Sequence, residues 1–179
     1  MKKVINLFHP NFAGSRVNKA LVKAAEDAGF EVRDMYKLYP DFKIDVKAEQ
    51  KVFEEADRMV WEFPVYWYSA PALFHQYAQD VFEYGWAYGH DATALHGKEL
   101  LIATTVGAHN YGHDNFVKYD VHEIFRPFQA ISRLLGTTYL KPFEVIGAST
   151  IDDDQLAQAA KDYVEYLNSD DVKPLGDYE

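Results

Sequence analysis

The sequence predicts an α/β fold, a three-layer sandwich in which a five-stranded parallel sheet carries helices on both faces. Three observations carry this expectation. Val4 to Phe8 and Leu100 to Val106 are nearly continuous apolar runs, as in strands buried on both faces. Segments with helical apolar spacing lie between the short strand-like runs, giving the order β-α-β-α-β-α-β-α-β-α. No repeat or composition shift divides the 179 residues, so 1–179 read as one domain, with a polar tail over about 168–179.

Each element follows from its residues. Ser15 to Gly29 carries Val17, Ala20, Leu21, Ala24, Ala25 and Ala28 at helical spacing, with Ser15 as cap and Gly29 as stop. Phe30 to Met35 alternates as a strand. Residues 37–45, KLYPDFKID, form a loop, and Asp45 caps a helix running to about Ala56. Met59, Val60, Trp61 and Phe63 make the third strand. The aromatic stretch FPVYWYSAP (63–71) follows, and Pro71 starts a helix of about Ala72 to Tyr84. Residues 85–97, GWAYGHDATALHG, are a glycine-punctuated connection to the Leu100 strand. Residues 107–118, GAHNYGHDNFVK, are a long polar loop. Tyr119 to Leu135 reads as a helix stopped by Gly136 and bent or broken at Pro127. Phe143 to Ile146 is the last strand. Asp152, Asp153 and Asp154 begin a last helix with Leu156, Ala159, Ala160, Tyr163 and Leu167 on its apolar face. The tail from Asn168 is expected to fray.

Composition narrows the function. A net charge of −10 and a pI near 5.1 argue against nucleic-acid and anionic-membrane binding. The absence of cysteine removes disulfides, thiolate metal sites and a Cys nucleophile. The apolar run in MKKVINLFHP is too short for a signal sequence, and no stretch approaches membrane-spanning length, so a cytoplasmic location is the expectation. An aromatic content of 16% suggests that some rings serve a site or an interface.

In open parallel sheets, ligands bind beyond the carboxyl ends of the strands, at the switch point. Three loops there stand out. HPNFAGSRVNK (9–19) leads into a helix start whose free N–H groups can hold phosphate, with Ser15 and Asn18 adding donors and Arg16 adding charge. It lacks both the dinucleotide fingerprint and the P-loop, and a plain helix cap fits the same residues. FPVYWYSAP offers a wall of rings stiffened by two prolines; packing against a neighbouring loop or a second copy is the alternative. TTVGAHNY (104–111) offers hydroxyls and then Gly107 for close backbone approach, though a plain strand end fits equally. His109, His113 and His122 invite a metal reading, but Gly112 disfavours a helix there and no HExxH is present, so no metal is expected.

HPNFAGSRVN (9–18), LYPDFKID (38–45), FPVYWYSAPALF (63–74), GWAYGH (85–90), ALHGK (94–98) and TTVG (104–107) together resemble the flavodoxin-like NAD(P)H:quinone oxidoreductases, the DT-diaphorase family. The resemblance covers roughly residues 3–150 and is strongest to short bacterial members, which include ancillary subunits of glutathione-gated potassium efflux systems. It implies a non-covalent flavin, FMN or FAD, at the switch point, with NAD(P)H as co-substrate. The short chain leaves little sequence for an adenosine half, which favours FMN. The resemblance places His9, Ser15, Arg16, Val17 and Asn18 at the phosphates. It places Pro64, Val65, Tyr66 and Trp67 along the isoalloxazine, and Thr104, Thr105 and Gly107 at its pyrimidine side. Tyr111 would act at the flavin and the substrate, and Tyr68 would border the substrate pocket. A homodimer is implied, with Tyr88 and His90 reaching the partner's site.

One departure is clear: the family has Thr-Thr-Gly-Gly where this chain has Thr104-Thr105-Val106-Gly107. A β-branched residue disfavours positive φ, so a reshaped loop is expected. The implied reaction is hydride transfer from NAD(P)H through flavin to a quinone or similar acceptor, by a ping-pong mechanism. Two other readings stay open. One is a one-electron flavodoxin-type carrier; the other is a regulatory subunit of a potassium efflux transporter, at the inner face of the membrane.

Overall fold

Every pairing in the main sheet is parallel. The structure is a computed structural model and describes residues 1–176. In chain order the elements are β1 (Lys3–Leu7), a 3₁₀ turn (Phe12–Gly14), α1 (Val17–Asp27), β2 (Glu31–Asp34), α2 (Met35–Leu38), α3 (Val46–Glu55), β3 (Arg58–Pro64) and α4 (Ala72–Val81). Then come β4 (Glu99–Val106), α5 (Val121–Ile124), α6 (Arg126–Leu135), β5 (Thr138–Tyr139), β6 (Phe143–Ile146) and α7 (Asp153–Asn168). The sheet order is β2-β1-β3-β4-β5, and β6 also pairs with β4.

The fifth sheet position is one strand in two pieces. β5 pairs with Glu99 and Leu100, while β6 pairs with Ala103 to Val106 along the same edge of β4. Pro142 lies between them and has no N–H for the ladder. The expected strand at Phe143 to Ile146 is therefore preceded by a short piece that the sequence reading omitted.

Alternation along the central strands feeds two cores. Val4, Met59, Trp61, Phe63, Leu100 and Ile102 face α3, α4 and α6, packing with Phe53, Phe74 and Phe128. Ile5, Val60, Leu101 and Ala103 face α1 and α7, packing with Leu21, Tyr163 and Leu167. Burial on both faces is why these strands read as unbroken apolar runs. Much of the aromatic content belongs to the first core, where Phe74 meets Trp61 at 4.8 Å and Phe128 at 5.0 Å between ring centroids. Glu62 interrupts the second core; it is fully buried, and its carboxylate accepts from the Tyr163 hydroxyl at 2.8 Å.

Several boundaries differ from the sequence expectation. Met35 leaves the second strand and begins α2, capped by Asp34, which accepts from Lys37 N at 3.1 Å. α4 starts at Ala72 with Pro71 as its N-cap, as expected, but stops at Val81 instead of Tyr84. The helix expected from Tyr119 to Leu135 is broken at Phe125, with Pro127 in the first turn of α6, as its missing N–H demands. The tail does not fray over its described part. Leu140 and Pro174 form an antiparallel bridge, Leu175 N donates to Tyr139 O at 2.9 Å, and the Lys3 ammonium holds the Leu167 carbonyl and Asp170. Residues 177–179 lie outside the described residues.

Candidate functional site

Because the sheet is parallel, the loops after β1, β3 and β4 emerge at one edge. Strand order reverses between β1 and β3, which opens a crevice there. In the first loop His9 is nearly buried, and its Nδ1 accepts from Asn11 N at 3.2 Å. Burial lowers its pKa, opposed by Asp34, so the ring is neutral at pH 7. The Ser15 hydroxyl accepts from Asn18 N at 3.2 Å. The buried Asn18 amide donates to Thr105 Oγ1 at 3.0 Å, tying this loop to the end of β4. The N–H groups of Arg16 and Val17 have no acceptor among the described residues, as expected at a helix start.

Some predicted residues are placed differently from what their roles require. The Arg16 guanidinium is turned toward α7, where it donates to the Ile151 carbonyl at 2.6 Å and pairs with Asp153. Its charge is therefore already engaged away from the helix start. The Val17 and Asn18 side chains are buried, so backbone is what they can offer a ligand. The Asn18 amide spends its N–H groups on Ser15 Oγ and Thr105 Oγ1 rather than pointing outward, while Ser15 Oγ accepts in these bonds and keeps its hydroxyl proton.

The aromatic stretch after β3 is a tight turn. Tyr66 N donates to Ser69 O at 2.9 Å, and Ser69 N returns to Tyr66 O at 3.1 Å. Trp67 and Tyr68 occupy its two central positions with φ of 50° and 61°. The Trp67 ring is 94% exposed, so it stands out from the surface instead of lining the crevice. Val65 N is committed to Thr105 O at 2.9 Å, and Pro64 is paired within the sheet.

At the end of β4, Thr104 is fully buried and donates its hydroxyl to Phe63 O at 2.8 Å. Val106 keeps strand backbone without positive φ, opposite Ile146, and the chain leaves β4 at Gly107. A Cβ on Gly107 would lie 2.9 Å from Ser149 Oγ, so a larger residue there requires the serine side chain to turn away. Tyr111 packs edge-on against Tyr68, with centroids 6.3 Å apart, and burial raises its pKa, so its hydroxyl remains a donor at pH 7.

The sequence reading missed the wall beside this pair. Tyr68, Phe116, Val117, Tyr119 and Ile124 line an apolar hollow of about 450 Å³. The only sequence signal was two rings, Phe116 and Tyr119, inside an otherwise polar loop. Tyr88 and His90 lie elsewhere, in the connection that returns to the start of β4; Tyr88 lines a separate hollow between α4 and α6. The histidines go to different partners, His109 to Thr150 at 3.1 Å and His113 to Glu123 at 2.7 Å. His113 joins Glu123 and Asp120 in a small polar cluster at the start of α5.

Free helix-start N–H groups suit a phosphate, and the apolar hollow at Tyr68 suits a flat ring. This donor set fits a flavin mononucleotide. The profile of the flavodoxin-like fold family matches residues 1–167. An NAD(P)H oxidoreductase of Bacillus subtilis, YdeQ, is 37% identical over 97% of this chain and 90% of its own. A solved chain described as a thermophilic tryptophan halogenase from Streptomycin violaceusniger is 44% identical, with TM-score 0.90, covering 93% of this chain and 98% of that one. General stress protein 14 of Treponema denticola, solved in complex with FMN, is 36% identical with TM-score 0.86 over the same shares. An NADPH-quinone reductase of P. pentosaceus is 28% identical with TM-score 0.82, again over 93% and 98%.

Proposed function

The chain belongs to the flavodoxin-like family, and from that premise we propose that it is an FMN-dependent NAD(P)H oxidoreductase acting on quinones or similar flat acceptors. The observation that carries the proposal is that a free helix start after β1 and an apolar hollow walled by Tyr68 and Phe116, in the loops after β3 and β4, both follow the carboxyl ends of parallel strands. The NAD(P)H oxidoreductase, FMN-bound and quinone-reductase relatives support the same reading. The chemistry that FMN supplies when bound is two-electron transfer, with a hydride taken from NAD(P)H and two electrons passed to the acceptor.

The chain's own residues do the rest. The N–H groups of Arg16 and Val17 receive the phosphate, with neutral His9 beside them and Ser15 and Asn18 holding the loop in shape. Backbone of 64–67 and of Thr104, Thr105 and Gly107 borders the ring. Tyr111 donates its hydroxyl proton in a hydrogen bond to the acceptor oxygen. The hollow beside Tyr68 takes nicotinamide and acceptor in turn, so the kinetics are ping-pong. The exposed Trp67 ring closes over whichever of the two is bound. The protein works as a cytoplasmic homodimer in which Tyr88 and His90 serve the partner's site; among the described residues no helix is long and apolar enough to cross a membrane.

The test is a visible spectrum of the purified protein before and after anaerobic NADPH, with the released cofactor identified by mass. Flavin bands that bleach in one two-electron step, and FMN in the extract, are expected. A protein that takes up neither FMN nor FAD overturns the proposal. A persistent one-electron spectrum on partial reduction would instead favour a carrier.

A further inference from the structure

The segment that walls the hollow is folded back on itself. Val117 N donates to Asn110 O at 3.0 Å, and Gly112 N donates to Tyr119 O at 2.7 Å. Glu123, in the first turn of α5, then closes the segment from outside. One of its carboxylate oxygens, Oε2, accepts both Asp120 N and His113 Nε2, each at 2.7 Å. A single oxygen thus fastens both ends of 113–120. Between those ends lie Phe116, Val117 and Tyr119, and the fifth wall residue, Ile124, follows Glu123 directly. Phe116 is 82% exposed, so its place is not set by burial. Gly112 and Lys118 hold φ of 110° and 65°, conformations that the surrounding bonds must maintain.

We propose that Glu123, with His113 as its partner, is a positioning residue for the acceptor: the pair holds the Phe116–Tyr119 wall in place and sets how tightly a flat acceptor is gripped. The inference rests on the proposed reductase function and adds a residue that touches neither cofactor nor substrate. Three anionic groups face His113, namely Glu123, Asp120 and Asp114, and His122 is the other cationic group acting on Glu123. The Glu123 bond, followed by these charges, raises the His113 pKa above 6.5. The pair is therefore fully charged below pH 6.5 and loosens as pH rises through the raised value.

The experiment measures KM and kcat for menadione, together with its Kd for the oxidised FMN-loaded protein, from pH 5.5 to 8.5. The proteins are wild type, His113→Gln, His113→Ala and Glu123→Gln. Wild-type KM and Kd should rise roughly threefold to tenfold across the window with kcat nearly flat, the change expected for loss of a charge-assisted bond. His113→Gln offers only a neutral donor, as the deprotonated ring does, and should hold at every pH the weaker values that wild type reaches at high pH, with the pH dependence gone. His113→Ala and Glu123→Gln should be weak at every pH, and in Glu123→Gln the His113 imidazole signal should titrate at lower pH than in wild type by NMR. Identical pH profiles in wild type and His113→Gln, or unchanged menadione binding in His113→Ala, overturn the inference. Anaerobic reduction at saturating NADPH separates the two claims: the flavin bands should still bleach in every variant, whatever the change in grip, and absence of bleaching in wild type would sink the reductase reading instead.

Discussion

Trp67 and Tyr68 sit in left-handed backbone, where a bulky L-residue costs roughly 1 kcal/mol. Trp67 recovers nothing by packing, because its ring stands in solvent. Strain kept at an exposed ring points to the ring's use. Trp67→Asn, a residue that tolerates this conformation, should raise stability to urea by up to about 1 kcal/mol. The same variant should raise KM for NADPH or quinone several-fold; unchanged kinetics would remove Trp67 from the site. Glu62 makes a second residue-scale prediction. Burial pushes its pKa up to about 8, partly offset by the Tyr163 bond, whereas in the unfolded chain it titrates near 4.3. The folded value is the raised one, so its contribution is complete below about pH 4.3 and is lost as pH rises through about 8, by up to about 1.4 kcal/mol per unit. Glu62→Gln should flatten that decline and gain on wild type between pH 5 and pH 8 in urea melts. Parallel declines would mean that Glu62 is ionised in the fold.

At the scale of elements, long and strongly patterned segments were legible and short ones were not. β3 and β4 announce themselves because both of their faces are buried, and Asp45 and Asp152 cap α3 and α7 by local bonds that a sequence can display. α2 and β5 are only a few residues long and exist because neighbours complete them, β5 through Glu99 and Leu100 of β4. The loops of the site were legible for the same topological reason, since they follow strand ends. Side-chain directions within them were not: nothing local says that Arg16 turns to Asp153 or that Thr104 faces inward. The tail was misread because its polar composition hides backbone pairing. Lys141 N donates to Lys173 O at 2.9 Å, and Arg58 Nη1 donates to Ser169 O at 2.8 Å. The tail thus covers the β5 edge and gives the buried Arg58 one acceptor. Deleting the chain from Asp170 onward should cost about 2 kcal/mol or more, with the largest gain in amide exchange at Tyr139 to Lys141. Exchange that is unchanged there would show that the tail adds nothing to the edge.

On the whole molecule, the apolar hollow beside Tyr68 lies past the strand ends, and a second apolar hollow lies away from it. The other, about 380 Å³ between α4 and α6, is lined by Phe82, Tyr88, Ile131, Leu134 and Leu135 among others. Leu134 is 60% exposed at the end of an amphipathic helix whose opposite face is in the core. Tyr88 and His90 belong to the connection beside this face, so within one chain they have no evident route to the Tyr68 hollow. If they serve catalysis, they serve a second copy, and this apolar face is the place for it. Two chains of net charge −10 repel each other, so apolar contact must outweigh that repulsion and salt should help it. Wild type should therefore sediment at twice 20.6 kDa, more completely in 0.5 M than in 0.02 M salt. Leu134→Asp should sediment as a monomer with its melting profile intact. Its turnover should fall at least about tenfold, while dilution of wild type below the dimer Kd should cause the same loss. A wild type that is monomeric and fully active would dissociate Tyr88 and His90 from the site altogether, and catalysis would then rest on residues of a single chain.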